Sequence, residues 1–254
     1  MARDKLNEAN GLFHPEEAAP AGHQNPSAKK PTKHYHGHRE RLRDKVLNGA
    51  GDTLPDYELL ELLLCAFIPR RDVKPIAKAL IDRFGSLSGV MSAPVRRLVE
   101  VEGVGDTTAI YIQATHAINQ RCVREEVAAK SVISSWSALL NYVRLALQHE
   151  KEEQFRILFL DRKNQLITDE IMSRGTIDQA PVYPREVAKR ALETSAASII
   201  LVHNHPSGDP TPSKADVTIT REIIDALDAL DIEVHEHLIV GSKGIVSMKA
   251  QNLI

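Results

Sequence analysis

The sequence predicts a multidomain α+β protein, with an all-helical first part followed by an α/β part built on a sheet. Three observations lead there. Between residues 57 and 147 apolar residues recur at helical spacing, as in Tyr57-Glu-Leu-Leu-Glu-Leu-Leu-Leu64. From Phe155 onward they form short strand-like blocks, Phe155 to Leu160 and Ala197 to Val202, separated by amphipathic helical stretches. The charged, alanine-rich segment Arg124 to Lys130 marks the change of period. With 254 residues, 43% of them hydrophobic, the chain can bury two modest cores.

Residues 1–36 carry Pro15, Pro20, Pro26 and Pro31 and no sustained apolar period, and are expected to be a disordered tail. A helical domain is expected over 37–128. The basic 29–45 segment holds seven Lys or Arg (Lys29, Lys30, Lys33, Arg39, Arg41, Arg43 and Lys45) against Glu40 and Asp44, with His34, His36 and His38 between them. It reads either as a phosphate-contacting patch or as a solvated tail and helix face. Helices are predicted over Tyr57 to Phe67, flanked by Pro55 and Pro69, over Pro75 to Phe84, stopped by Gly85, and over Ala93 to Val99. Gly103 and Gly105 then make a tight turn whose amides can meet a phosphate, with a helix from Asp106 to about Val127 beyond it. This turn resembles a helix-hairpin-helix DNA-binding turn, although Glu100, Glu102 and Asp106 crowd it with negative charge. A last helix runs around Trp136 to Leu147.

The second domain is expected over 132–254. A hairpin, Phe155 to Leu160 and Gln165 to Ser173 about the turn Asp161 to Asn164, opens it. The helix Pro184 to Glu193, the strand Ala197 to Val202, the helix Asp216 to Leu230 and the strands Ile232 to Val240 and Gly244 to Met248 follow, in the order β-β-α-β-α-β-β.

Composition narrows the function. Lys plus Arg number 32 against 34 Asp plus Glu, so a uniformly basic nucleic-acid binder is not indicated. Cys65 and Cys122 lie in apolar helical patterns, which suits reduced thiols and excludes a cysteine zinc site by count. No apolar run approaches the roughly 20 residues that span a bilayer, and the polar start Met1-Ala-Arg-Asp-Lys5 lacks a signal-peptide core. The expected location is cytoplasmic.

The chemistry concentrates in Leu201 to Asp216. His203 and His205 sit two apart at the end of a strand, so both imidazoles point to one face and can share an ion. After Pro206 to Pro212, Ser213 is placed as a helix N-cap and Asp216 as its N3 residue, where it can supply a third ligand. Two histidines and a carboxylate leave the fourth tetrahedral position of Zn²⁺ for water, a catalytic arrangement. Asp209 is explained as a turn residue. His235-Glu-His237 forms a second alternating pair, read as surface or satisfied histidines, or as partners orienting the ligands if their strand adjoins that of His203.

His-x-His, seven residues, Ser, two residues, Asp is the spacing of the JAMM motif of MPN-type metalloproteases. Its filled-in form here, His203-Asn-His-Pro-Ser-Gly-Asp-Pro-Thr-Pro-Ser-Lys-Ala-Asp216, closely resembles that of the RadC family (UPF0758). Gly37-His-Arg-Glu-Arg-Leu-Arg43, Tyr57 to Leu64, Phe84-Gly-Ser-Leu87, Gly103-Val-Gly105, Leu160-Asp161, Gly175-Thr176 and Pro184-Arg-Glu186 also look like landmarks of that family, over about residues 36–254. The resemblance implies a helix-hairpin-helix-like all-α domain followed by a JAMM/MPN (cytidine-deaminase-like) α/β domain with a mixed sheet. It implies Zn²⁺ on His203, His205 and Asp216, Ser213 supporting the oxyanion, and an upstream glutamate holding the attacking water. Glu153, leading into the strand Phe155 to Leu160, is the glutamate chosen; Glu186 is the competitor, but its place at a helix start is explained by the helix dipole.

The leading reading is therefore a zinc metallopeptidase acting on a protein or peptide substrate, with Glu153 and Ser213 catalytic. The alternative is a DNA-associated repair or recombination module, contacting DNA through the Gly103–Gly105 turn and the basic 29–45 segment, in which the metal site serves a nuclease or is structural. The consecutive letters His-Asn-His do not make an HNH nuclease, because Asn204 faces away from its neighbours on a strand. A scaffold without catalysis is disfavoured, since every ligand position is filled.

Overall fold

The structure, a computed structural model, describes residues 35–129, 131, 132, 134–175 and 182–254. All but the last two residues of the expected tail, including Lys29, Lys30, Lys33 and His34, lie outside the described residues, as does Thr176.

The chain first builds a helical body from α1 (Tyr35–Leu47), a short 3-10 turn (Gly51–Thr53), α2 (Asp56–Phe67), α3 (Lys74–Phe84), α4 (Leu87–Ser92), α5 (Val95–Leu98) and α6 (Asp106–Ala128). Pro55 stands at the N-cap of α2 and Pro75 in the first turn of α3, where a missing amide costs nothing. Gly85 ends α3 at φ +81°, a left-handed stop that glycine adopts without strain. The expected helix Ala93 to Val99 is corrected to the shorter α5, and α4 is an additional helix before it. Ser86 caps α4, its Oγ accepting from the Gly89 amide at 3.0 Å, and Ala93 is forced extended by Pro94 before α5 begins. Leu60, Leu64, Ile76, Leu80, Val90, Leu98 and Ile112 form the shared core.

Two features often associated with nucleic-acid contact turn inward here. Arg39 is buried at 8% exposure, and its guanidinium donates to the carbonyls of Ile68, at 3.0 Å, Pro69 and Arg71, tying α1 to the end of α2. Gly103 sits at φ +90°, and a Cβ there would lie 2.7 Å from Ile76 Cδ1. Gly103→Ala is therefore expected to cost about 1–3 kcal/mol in urea unfolding, because both backbone and space demand glycine. Gly105, at φ −91° with open space around it, is expected to lose under about 1 kcal/mol on the same change.

Helix α6 runs past the charged segment where the period changes. Its N-terminal half contributes Ala109 and Ile112 to the first core, while Val127 joins Leu139, Val143 and Leu147 of α7 (Trp136–Leu147) against the sheet. The sheet comprises β1 (Gln154–Leu160), β2 (Leu166–Arg174), β3 (Ser198–Asn204), β4 (Glu233–Gly241) and β5 (Gly244–Ser247), in the order β2-β1-β3-β4-β5. Only β3 and β4 are parallel, joined by a crossover through α9 (Lys214–Asp228), so the sheet is mixed. One face packs on α7 through Leu158, Ile200 and Val202. The other packs on α8 (Pro184–Glu193) and α9 through Ile157, Leu201, Val187 and Ile223. All seven residues of β3 are buried, as expected of a central strand covered on both faces. Among the described residues no helix is long and apolar enough to cross a membrane.

Candidate metal centre

The site forms where β3 ends and α9 begins. His203 is the penultimate residue of β3 and lies on the α9 face, stacked near Phe155 of β1. Asn204, on the opposite face, accepts from the Gln154 amide at 2.8 Å and donates to the Glu152 carbonyl at 3.1 Å, fastening the segment before β1 to the site strand. His205 extends the strand by one rung, its amide donating to Val240 O at 2.9 Å. The chain then turns back through Gly208, at φ +86°, and Asp209, whose carboxylate accepts from the Thr211 amide at 3.0 Å and its hydroxyl at 2.7 Å. Asp209 is thus a turn residue. Ser213 caps α9 in a reciprocal box: its Oγ accepts from the Asp216 amide at 3.1 Å, and its own amide donates to Asp216 Oδ2 at 2.7 Å.

This return brings His203, His205 and Asp216 together, with one ligand atom from each lying within 4.8 Å of the others. His203 Nε2 is 3.0 Å from His205 Nε2 and 3.3 Å from Asp216 Oδ1, and His205 Nε2 is 3.5 Å from Asp216 Oδ2. His203 and Asp216 are buried, and His205 is 17% exposed at the mouth.

The surrounding hydrogen bonds assign the tautomers. The Thr220 hydroxyl donates its single proton to the Asp216 carbonyl, which can only accept. Thr220 Oγ1 therefore accepts from His237 Nδ1 at 2.6 Å, and His237 Nε2 accepts from His203 Nδ1 at 2.7 Å. That leaves His203 Nε2 as a lone pair. His205 Nδ1 donates to the Asp209 carbonyl at 2.8 Å, which leaves His205 Nε2 as a lone pair too. Two imidazole acceptors and a carboxylate thus converge with no proton between them, an arrangement that a cation satisfies and that fits a metal ion.

The electrostatics agree. The Asp216 carboxylate beside the ring, against the effect of burial, raises the His205 pKa above the ordinary value, with the Asp209 carbonyl and the Glu153 carboxylate adding to the rise. Burial on its own would raise the Asp216 pKa, but the His203 and His205 rings beside it and the hydrogen bond from the Ser213 amide hold it well below the carboxylate range. Burial pushes the His237 pKa far down, keeping that ring neutral within the relay.

Comparison with known proteins supplies the family. A profile described as a RadC-like JAB domain matches residues 133–253, and one described as UPF0758 N-terminal matches 35–110. A UPF0758 protein of Ruegeria pomeroyi is 51% identical over 217 residues, covering 85% of this chain and 97% of that one. The chain belongs to the RadC (UPF0758) family. Its helical first part followed by a five-stranded mixed α/β domain is the architecture expected for that family, and the JAB description relates the second part to the JAMM group.

Within this RadC chain the two candidate glutamates are placed differently. Glu153 directly precedes β1, two residues before Phe155, whose partner across the ladder is His203, and its charge reaches His205. Glu186 lies in the first turn of α8, 51% exposed, with its carboxylate 3.6 Å from Arg185 Nε. The alternating pair on β4 separates as well. His237 enters the relay, whereas His235 Nε2 bonds Asn164 Oδ1 at 2.7 Å and its Nδ1 lies 3.1 Å from Glu233, away from the site. Thr220 was not singled out from the sequence. The available signal was its spacing: four residues after Asp216 puts it one turn on along the same face of α9.

Proposed function

We propose that this protein is a zinc-dependent hydrolase of the JAMM type, cleaving a peptide or isopeptide bond in a protein or peptide substrate. The observation that carries the reading is the pair of imidazole lone pairs, each set by a hydrogen bond on its other ring nitrogen, facing one buried carboxylate at the end of a strand. Three protein ligands with one partly exposed side match an open catalytic site, whereas structural zinc sites close with four. His203, His205 and Asp216 would hold Zn²⁺, which would supply a water of pKa lowered to roughly 7 and polarisation of a carbonyl.

The chain's own groups supply the rest. Glu153 takes the proton of the attacking water and returns it to the leaving amine. The Ser213 Oγ accepts from the Asp216 amide, so its own proton is available to a developing oxyanion, and the N-cap geometry fixes where that proton points. Capping and oxyanion support are compatible because they use different parts of one hydroxyl. Asn204 aids by fastening the Glu152 carbonyl and Gln154 amide on either side of Glu153.

Glu153→Gln is expected to keep the metal and lose about 10²–10⁴-fold in hydrolysis, scored by profiling cleavage of peptide and isopeptide libraries. Glu186→Gln is expected to leave the rate unchanged. Hydrolysis that survives in the first variant and fails in the second would reverse the assignment.

A further inference from the structure

On the face of the sheet away from the metal centre, a pocket of about 370 Å³ lies between α6, α7 and the β1–β2 edge. Arg121 and Arg124 enter from α6, Arg156 from β1 and Arg174 from the end of β2. Ladder pairing places them on one side: Gln154 opposes Arg174 and Arg156 opposes Ile171, and both strand pairs line the pocket. Among the described residues only Arg156 of these four has a carboxylate partner, Asp169, at 2.6 Å, and Asp169 is also held by the Tyr142 hydroxyl. Among the described residues Arg121, Arg124 and Arg174 make no ion pair, and Glu150 is the single acidic side chain in the lining. Arg156 Nε is buried and unpartnered, as is Asp169 Oδ1.

Exposed arginines ordinarily splay into water or pair with nearby acids. Guanidiniums from three elements converging on one concavity repel each other, and a bound anion relieves that repulsion. Several planar forks approaching from different directions suit a compact anion with many oxygens, and phosphate satisfies more of them than a carboxylate does.

We propose that this pocket is a phosphate-binding site, separate from the metal centre and independent of the hydrolase reading. The phosphate comes either from a free or terminal group or from a nucleic-acid backbone.

The test uses the full chain with pyrophosphate, followed by calorimetry, and a labelled single-stranded oligonucleotide, followed by anisotropy. Pyrophosphate is expected to bind saturably, and Arg121→Gln with Arg174→Gln is expected to weaken it about tenfold or more. Arg41→Gln with Arg43→Gln, which removes equal charge from the exposed face of α1, is expected to leave it unchanged. Oligonucleotide binding that pyrophosphate displaces assigns the source to a nucleic-acid backbone; pyrophosphate binding without oligonucleotide binding assigns it to a free or terminal phosphate. No saturable pyrophosphate binding, or an equal loss in both double variants, overturns the site.

Discussion

His205→Ala will strip the metal while leaving the fold in place. The wild-type protein is expected to carry about one zinc per chain, and this variant none, by elemental analysis after desalting. The choice of residue matters. Asp216 also closes the capping box of α9, so removing it would add about 1 kcal/mol of helix destabilisation and leave the Ser213 amide without its partner. His205 is partly exposed, and its side-chain bonds serve only the site and the Asp209 carbonyl, while its strand bond to Val240 runs through the backbone. Loss of metal with unchanged unfolding of the metal-free protein thus isolates ligation from stability. Full zinc retention would reject the ligand set. The same ring sets the pH dependence: a proton and the metal compete for His205 Nε2, and the raised His205 pKa makes the proton a stronger competitor. Metal affinity is accordingly expected to fall as pH drops, starting above the ordinary histidine range.

His237→Phe will weaken metal binding by about 10- to 100-fold without touching a ligand. Phenylalanine keeps a ring of similar size in a fully buried place, but it can neither accept from His203 Nδ1 nor donate to Thr220. His203 is then free to carry its proton on Nε2, where it blocks the metal. The buried Nδ1 group left unpaired is expected to lower stability by about 1–3 kcal/mol. His237→Gln, whose amide offers both an acceptor and a donor, is expected to recover part of the affinity. Chelator competition measures the metal and urea unfolding of the metal-free protein measures the stability. A stability loss with unchanged affinity would show that His237 only fills space.

The elements that the sequence revealed are those whose signals are local. Pro55, Pro75 and Gly85 punctuate α2 and α3 because each acts through its own φ or its own missing amide. The β-β-α-β-α-β-β order followed from changes of apolar period, and all five strands are present. α4 was missed since six residues are too few for periodicity to speak, and its cap, Ser86, resembles any serine in a turn. Arg39 misled for a related reason. In sequence it counts as one cation among seven, and only the approach of α1 to the end of α2 supplies the carbonyls that consume its donors.

The sequence by itself determined the fold class, the family and the identity of the three converging side chains, because His203, His205, Ser213 and Asp216 lie within one strand-turn-helix segment whose geometry is nearly local. Tertiary structure decided which nitrogens face the site. The relay from Thr220 through His237 to His203 joins α9, β4 and β3, and no spacing along the chain reveals that β4 lies parallel beside β3. It also sets the two candidate glutamates in different surroundings, since the antiparallel pairing of β1 with β3 brings the stretch before Phe155 alongside His203 and Glu153 within electrostatic reach of His205, while Glu186 lies exposed on α8. Short-range chemistry is written in the order of residues, whereas a proton's place on a ring depends on partners that only packing brings near.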